Sequence, residues 1–246
     1  MEIIPSFETV VLTYREDFKK LQRCLQSIIQ HGLGHNTEPV HIIVNDHEPA
    51  MIEIKNFIPN DLRFRVWHYT ELGEWNRPLY WCMELFDWAN PLDWYSQQWF
   101  KLVASKIVSS EWYLLIDSDI VLQKPITHAD MFMNNRACYK QTPIDFTNLK
   151  CVEQLSNAYS YWNDDMDDKK YFMSDHTPFI MHTTTVKEMI PLIGPDLFHP
   201  LNDKLTVEFF LWSAYLDHLG IKDQLYHPVS NTPGRMFKTW CPETNN

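Results

Sequence analysis

The stretch from Glu111 to Pro125, EWYLLIDSDIVLQKP, limits what this chain can fold into more than any other. Trp112 to Ile116 is an unbroken apolar run, Ile120 to Leu122 is a second, and Asp117-Ser118-Asp119 stands between them. An apolar run without alternation is the pattern of a strand covered on both faces, as in a parallel sheet flanked by helices. Such a sheet binds ligands along the carboxyl ends of its strands, and the two acids emerge there. If the backbone stays extended, residues two apart share a face, so Asp117 and Asp119 reach toward one point and Ser118 turns away. A hard divalent cation, Mn²⁺ or Mg²⁺, takes carboxylate oxygens and completes its shell with water and phosphate oxygens. The other reading is a surface turn with two solvated carboxylates. The apolar flanks weigh against it, because anions beside apolar neighbours are costly without a cation or hydrogen-bond donors.

The sequence before this strand alternates strand and helix. Phe7 to Thr13 is apolar and β-branched, a buried strand. From Asp17 to His31, Phe18, Leu21, Leu25, Ile28 and Ile29 keep a helical period that Gly32 and Gly34 close. Val40 to Val44 is the next strand, which makes a βαβ unit with a parallel crossover. Met51 to Ile58 reads as a short helix and Phe64 to Tyr69 as a third strand. Glu71 to Asp93 has no clean period; Trp75, Trp81, Trp88 and Trp94, within and just after it, suit core packing better than stacking on a base or sugar. Tyr95 to Ser109 is helical, with Trp99, Leu102, Val103, Lys106 and Ile107 at one spacing and Gln98, Lys101 and Ser105 on another face.

The second half is less regular. Met131 to Tyr139 leaves room for a strand. Pro143 to Lys170 carries scattered aromatics and the acidic run from Asn163 to Asp168, which lacks the glycine and terminal glutamate of a calcium loop and reads as solvated. Phe179 to Met181 is a short strand entered through Pro178, followed by a short helix capped by Thr184 or Thr185. Leu205 to Leu219 is a helix ended by Gly220, and Glu208 in its first turn gains from the helix dipole. The expected whole is a single α/β domain over residues 1–246, a mostly parallel twisted sheet with flanking helices. Residues 1–125 form its ligand-binding half and 126–246 the second half.

Composition removes several classes of function. A chain that is 45% hydrophobic is too apolar for disorder. A formal net charge of −11, with no compensating run of Lys and Arg, argues against stable nucleic-acid binding. Cys24, Cys82, Cys138, Cys151 and Cys241 are odd in number and widely spaced, the pattern of reduced thiols. The opening MEIIPSFETVVLTY lacks the parts of a signal peptide, and no apolar run reaches spanning length. The expected location is the cytoplasm, with no membrane span.

YLLIDSDIVLQKPI resembles the Asp-x-Asp segment of GT-A glycosyltransferases, and FETVVLTYREDFKKLQRCLQSI is similar to the opening strand and helix of that fold. YSQQWFKLVASKIVSSEWYLLIDSD resembles a bacterial and phage subgroup with a Gln-Gln-x-x-Lys helix before the Asp-x-Asp strand. The resemblance implies the GT-A form of a Rossmann-like sheet in a bacterial or phage-infected cell. It implies an enzyme that moves a sugar from a nucleotide-diphosphate donor, a UDP-sugar first, to a glycan or other hydroxyl acceptor. Asp117 and Asp119 would then hold Mn²⁺ or Mg²⁺, with Ser118 counted among the donor-site residues. Thr13, Tyr14 and Arg15 would line the base and phosphate side. Asp46 would meet base or ribose, with a turn or cap as the alternative. Gln98 and Lys101 would be ligand contacts, with a solvated helix face as the alternative. Asp175 and His176 would lie by the donor sugar and acceptor. Glu208, and after it Asp203, would be the general base on the acceptor hydroxyl, the alternative for Glu208 being a plain cap.

LYHPVSNTPGRMFKTW resembles, at a longer spacing, the C-terminal His…Gly…Lys-x-Trp pattern of glycogenin-like transferases. That makes His227 a metal ligand and Lys238 a diphosphate contact. A sugar nucleotidyltransferase is a rival reading, but its Gly-rich loop after the first strand is missing from Thr13-Tyr14-Arg15-Glu16-Asp17. A non-catalytic binding module is another, which fold alone does not separate from an enzyme.

Overall fold

Phe7–Thr13 is buried along its whole length, as a central strand covered by helices on both faces must be. The computed structural model describes residues 5–33, 38–72, 94–173, 177–198, 204–229 and 237–239. In chain order the described strands are Phe7–Thr13 (β1), Val40–Val44 (β2), Phe64–His68 (β3), Trp112–Asp117 (β4), Ile120–Leu122 (β5), Phe132–Met133 (β6), Arg136–Pro143 (β7), Tyr171–Met173 (β8), Phe179–His182 (β9), Tyr226–Val229 (β10) and Phe237–Thr239 (β11). The described α-helices are Phe18–His31 (α1), Glu48–Glu53 (α2), Trp94–Val103 (α3), His128–Met131 (α4), Leu149–Tyr161 (α5), Thr183–Met189 (α6), Glu208–His218 (α7) and Lys222–Leu225 (α8).

The main sheet has the order β3-β2-β1-β4-β9. The first four strands run parallel and β9 runs antiparallel to β4. The chain is thus an α/β protein with a mostly parallel central sheet. It builds outward from β1 to β3 and returns to the other side of β1 as β4. Strand order therefore reverses between β1 and β4, and the crevice outside the carboxyl ends at such a switch point is where open α/β sheets take ligands. Leu12 pairs with Asp117 across this boundary. In the second half, β7 pairs with β10 in parallel and with β6 and β8 antiparallel. β11 pairs antiparallel with β5, with Lys238 opposite Val121. Buried apolar residues from both halves form one contiguous cluster.

The helices follow from their burial. In α1, Phe18, Leu21, Cys24, Leu25 and Ile28 make one buried stripe on the sheet. Gly32 follows at φ 83, a conformation that favours glycine, and its N–H reaches the Ile28 carbonyl. α7 is buried without a break from Glu208 to Leu216, so it is a helix inside the protein rather than on it. α3 packs against β1 and α7. Among the described residues no helix is long and apolar enough to cross a membrane.

Two expectations are corrected. The helix expected from Leu205 starts at Glu208, with Val207 as its N-cap. Neither Thr184 nor Thr185 caps α6; the N-cap is His182, whose ring meets the Thr185 hydroxyl at 2.7 Å. The segment 143–170, to which the sequence assigns no element, contains α5, whose buried face is only Leu155, Ala158 and Tyr159. The expected acidic loop does follow that helix, and the Trp-rich stretch from residue 73 to 93 lies outside the described residues.

One charge lies within the sheet at the edge opposite the acid pair. Glu8 is buried in β1. One carboxylate oxygen accepts from the Ser109 amide at 3.0 Å, the Ser109 hydroxyl at 2.5 Å and the Ser110 amide at 2.9 Å. The other meets His41 Nε2 at 2.5 Å, and the Trp67 indole N–H donates to His41 Nδ1 at 3.0 Å, so Nε2 carries the proton. Burial pushes the Glu8 carboxyl up, but the bonds from His41 and Ser109 outweigh it and bring it from 4.5 to about 2. Replacing Glu8 with Ala leaves these buried donors without an acceptor and lowers the unfolding free energy by about 3 kcal/mol in a urea titration. A depressed carboxyl contributes stability above its ordinary pKa and loses it as pH falls. The stability gap between wild type and Glu8→Gln is therefore full above pH 4.5 and closes between 4.5 and about 2.

Candidate active site

Asp117 ends β4 at the switch point, and Ser118 and Asp119 form the turn into β5. The backbone does not stay extended there, yet the two acids remain close. Burial first, and then the charge of Asp117, hold the Asp119 carboxyl above the ordinary carboxylate range. Ser118 is 4% exposed, and its hydroxyl donates to Asp17 Oδ2 at 3.4 Å. Its hydroxyl is turned toward the start of α1, where it anchors the turn.

Each acid is held from a different side. On one flank the Thr177 hydroxyl donates to Asp117 Oδ2 at 2.5 Å. Lys101, from α3, places its ammonium 3.6 Å from Asp117 Oδ1 and 3.0 Å from Glu208 Oε1, above the Phe209 ring at 5.0 Å. The Lys101 side chain is 7% exposed and that of Glu208 0%. Burial pulls Lys101 down, but the charges of Glu208 and Asp117 raise it, so the ammonium stays charged. Burial raises Glu208 against the pull of Lys101, and beyond this ion pair its oxygens have no hydrogen-bond donor among the described residues.

On the other flank stands Asp17, the N-cap residue of α1. It makes no cap hydrogen bond; its oxygens take Lys20 Nζ at 2.5 Å and the Ser118 hydroxyl. Beneath the pair the Cys24 thiol is pushed up to about 12, by burial first and then by Asp119 and Asp117. Counted as ionised, Asp17, Asp117, Asp119 and Glu208 face Lys20 and Lys101. Among the described residues two negative charges are left over, the charge of one divalent cation. Two carboxylates with substrate phosphates are also a usual donor set for Mg²⁺. The residues present therefore fit Mn²⁺ or Mg²⁺ held by Asp117 and Asp119, although among the described residues no three His, Cys, Asp or Glu side chains form a ligand cluster.

The remaining expected residues are distributed unevenly. Glu208 is not at the mouth of the crevice: the first turn of α7 is inside the core, so its carboxylate cannot meet an acceptor from solvent and serves as counter-ion to Lys101. Gln98 is buried, not on a solvated face. Thr13 is buried, Tyr14 half-buried, and Arg15 exposed and paired with Glu53 at 3.3 Å. Asp46 takes the turn role, accepting from the Arg15 amide at 2.9 Å and the His47 amide at 2.7 Å. His227, the expected metal ligand, lies on β10 opposite Cys138, and its Nδ1 meets Arg136 at 3.0 Å. Asp175, His176 and Asp203 lie outside the described residues, and Lys238 is described by its backbone register beside Val121 alone. Sequence reasoning missed Thr177, Asp17, Lys20 and Asn45. Asn45 is buried at the end of β2 and donates to Ser96 at 3.2 Å. Only Thr177 had a signal, its place between His176 and Pro178.

Fold and site together define a parallel α/β protein with an acid pair at its switch point. The chain belongs to DUF6492, a family of unknown function whose model matches residues 2–227. No curated protein gives a significant match. Among solved structures it is similar to mouse xyloside xylosyltransferase 1, at 12% identity and a TM-score of 0.47, covering 91% of this chain and 84% of that one. It is also similar to the WbbM bifunctional glycosyltransferase, at 12% identity and 0.44, covering 93% of this chain and 39% of that one. S. aureus TarS is similar at 15% identity and 0.49, covering 92% of this chain and 35% of that one.

Removing Glu208 alone strands a buried ammonium. Glu208→Ala is expected to cost about 3–5 kcal/mol of unfolding free energy in guanidinium titrations. The double variant Lys101→Met with Glu208→Leu, which replaces the pair with apolar groups of similar size, stays within about 1 kcal/mol of wild type or exceeds it.

Proposed function

We propose that this chain is a metal-dependent glycosyltransferase of the GT-A type, moving a sugar from a nucleotide-diphosphate donor to a hydroxyl acceptor. One observation carries the reading: a pair of carboxylates at the switch point of a parallel sheet, with two negative charges left uncompensated among the described residues around it. Asp117 and Asp119 would hold Mn²⁺ or Mg²⁺. Bound there, the ion supplies neutralisation of the diphosphate leaving group. Thr177 fixes the orientation of Asp117, and the Ser118 bond to Asp17 holds the turn that carries Asp119. Lys101 adds a fixed positive charge behind the acids, in a buried setting where it acts more strongly than in water. Tyr14 and Arg15 are the donor-side candidates that reach the surface. Asp175, His176 and Asp203 are the acceptor-side candidates, now that Glu208 is assigned to Lys101.

The test is thermal stability against UDP-, GDP-, CMP- and dTDP-sugars with and without Mn²⁺, on wild type and Asp119→Ala. At a hundredfold excess over Kd one donor raises stability by about 2.7 kcal/mol, a rise in Tm of about 5–10 °C at this size. The rise requires Mn²⁺ and is lost in Asp119→Ala. No shift with any donor overturns the reading. A shift without sugar release or transfer identifies a binding module of the same fold.

A further inference from the structure

Two ammoniums flank the acid pair, and they differ in freedom. Lys101 is enclosed by Glu208, Asp117 and the Phe209 ring. Lys20, in the first turn of α1, is 31% exposed and paired with Asp17 at 2.5 Å across a spacing of three residues. A partly exposed helical pair of this kind is weak, so Lys20 exchanges its partner at little cost. Asp17 closes the 3-10 turn Arg15–Asp17 that runs into α1, and the Phe18 N–H bonds the Arg15 carbonyl within it. The Asp17 carboxylate makes no cap hydrogen bond and takes Lys20 and Ser118 instead. The effect is to keep a movable cation beside the turn that carries Asp119.

We propose that Lys20 is a binding residue for the diphosphate of the donor, held on Asp17 in the free protein and turning to the phosphate oxygens when the donor arrives. This rests on the reading of the site given above. A diphosphate outbids a single half-exposed carboxylate as a partner, because it offers several anionic oxygens to the ammonium. Lys20 lies within electrostatic reach of Asp119 as well as Asp17. It therefore opposes a metal ion at Asp119 while the diphosphate is absent and assists the diphosphate when it is present. Those two effects have opposite signs, which a merely structural lysine would not produce.

The experiment uses the full chain as wild type, Lys20→Met and Lys20→Arg. Mn²⁺ affinity is measured by electron paramagnetic resonance without nucleotide, and UDP, GDP and dTDP affinities by calorimetry at saturating Mn²⁺. Lys20→Met is expected to bind Mn²⁺ about threefold more tightly, and the preferred nucleoside diphosphate about tenfold more weakly. Lys20→Arg keeps the charge and stays within about threefold of wild type for the nucleotide. Unchanged nucleotide affinity in Lys20→Met, or parallel loss of metal and nucleotide affinity, overturns the role of Lys20 and leaves the site reading standing. Wild type that binds Mn²⁺ with none of the three nucleotides overturns the site reading itself, and the role of Lys20 with it.

Discussion

Lys101 is the hinge of the arrangement. A buried ammonium is tolerated only where opposite charge compensates its lost hydration, and here the compensation comes from two directions. Glu208 belongs to the second half of the chain and Asp117 to the first. The ion pair therefore fixes α7 against α3, and through Asp117 it fixes both to the end of β4. Hydrophobic contact alone would hold these helices together without specifying their rotation, because α7 is apolar almost all round. A single charged contact inside such a surface has one satisfactory register.

The two edges of the sheet divide their work. At the amino edge Glu8 gathers donors from His41, Ser109 and Ser110, and every oxygen is satisfied. That network joins β1 to β2 and to the turn entering β4, and it leaves no charge unspent. At the carboxyl edge the acids outnumber the ammoniums, and Asp119 is held above its ordinary range. Carboxyls perturbed in this way occur at binding sites as well as in structural ion-pair networks. Stability is stored at one edge, and the proposed binding site lies at the other.

The strands of the first half were legible because each is an unbroken apolar run, and a strand buried on both faces has no other pattern. β1, β2 and β4 begin where their apolar runs begin. The acid pair was legible for the same reason: two carboxylates between such runs demand an explanation. The contacts around it were not. Thr177 reaches it from just before β9, and Asp17 and Lys20 from the start of α1; apart from the place of Thr177 between His176 and Pro178, nothing in their own neighbourhoods marks them. Glu208 was misjudged because a first-turn acid ordinarily faces solvent, and only the burial of the whole helix reveals that this one does not. α5 was hidden by its thin apolar face, since three buried residues in a polar segment leave little periodicity to read.

The net charge of −11 makes the local arrangement more demanding. On the function proposed above, a diphosphate approaching this acidic protein meets repulsion at long range, so attraction must be built within a few ångströms of the site. A bound divalent cation would supply part of it. Lys101 supplies a second part that cannot move, because burial and two carboxylates hold it. Asp17 makes a third part possible by keeping Lys20 near at hand without burying it. An arginine in the position of Lys101 would bring a planar fork where Asp117, Glu208 and Phe209 surround a point charge. A lysine fits there as a compact charge, and the same compactness lets Lys20 leave one carboxylate for another anion. The chemistry of this edge thus depends less on the number of charges than on which of them are fixed.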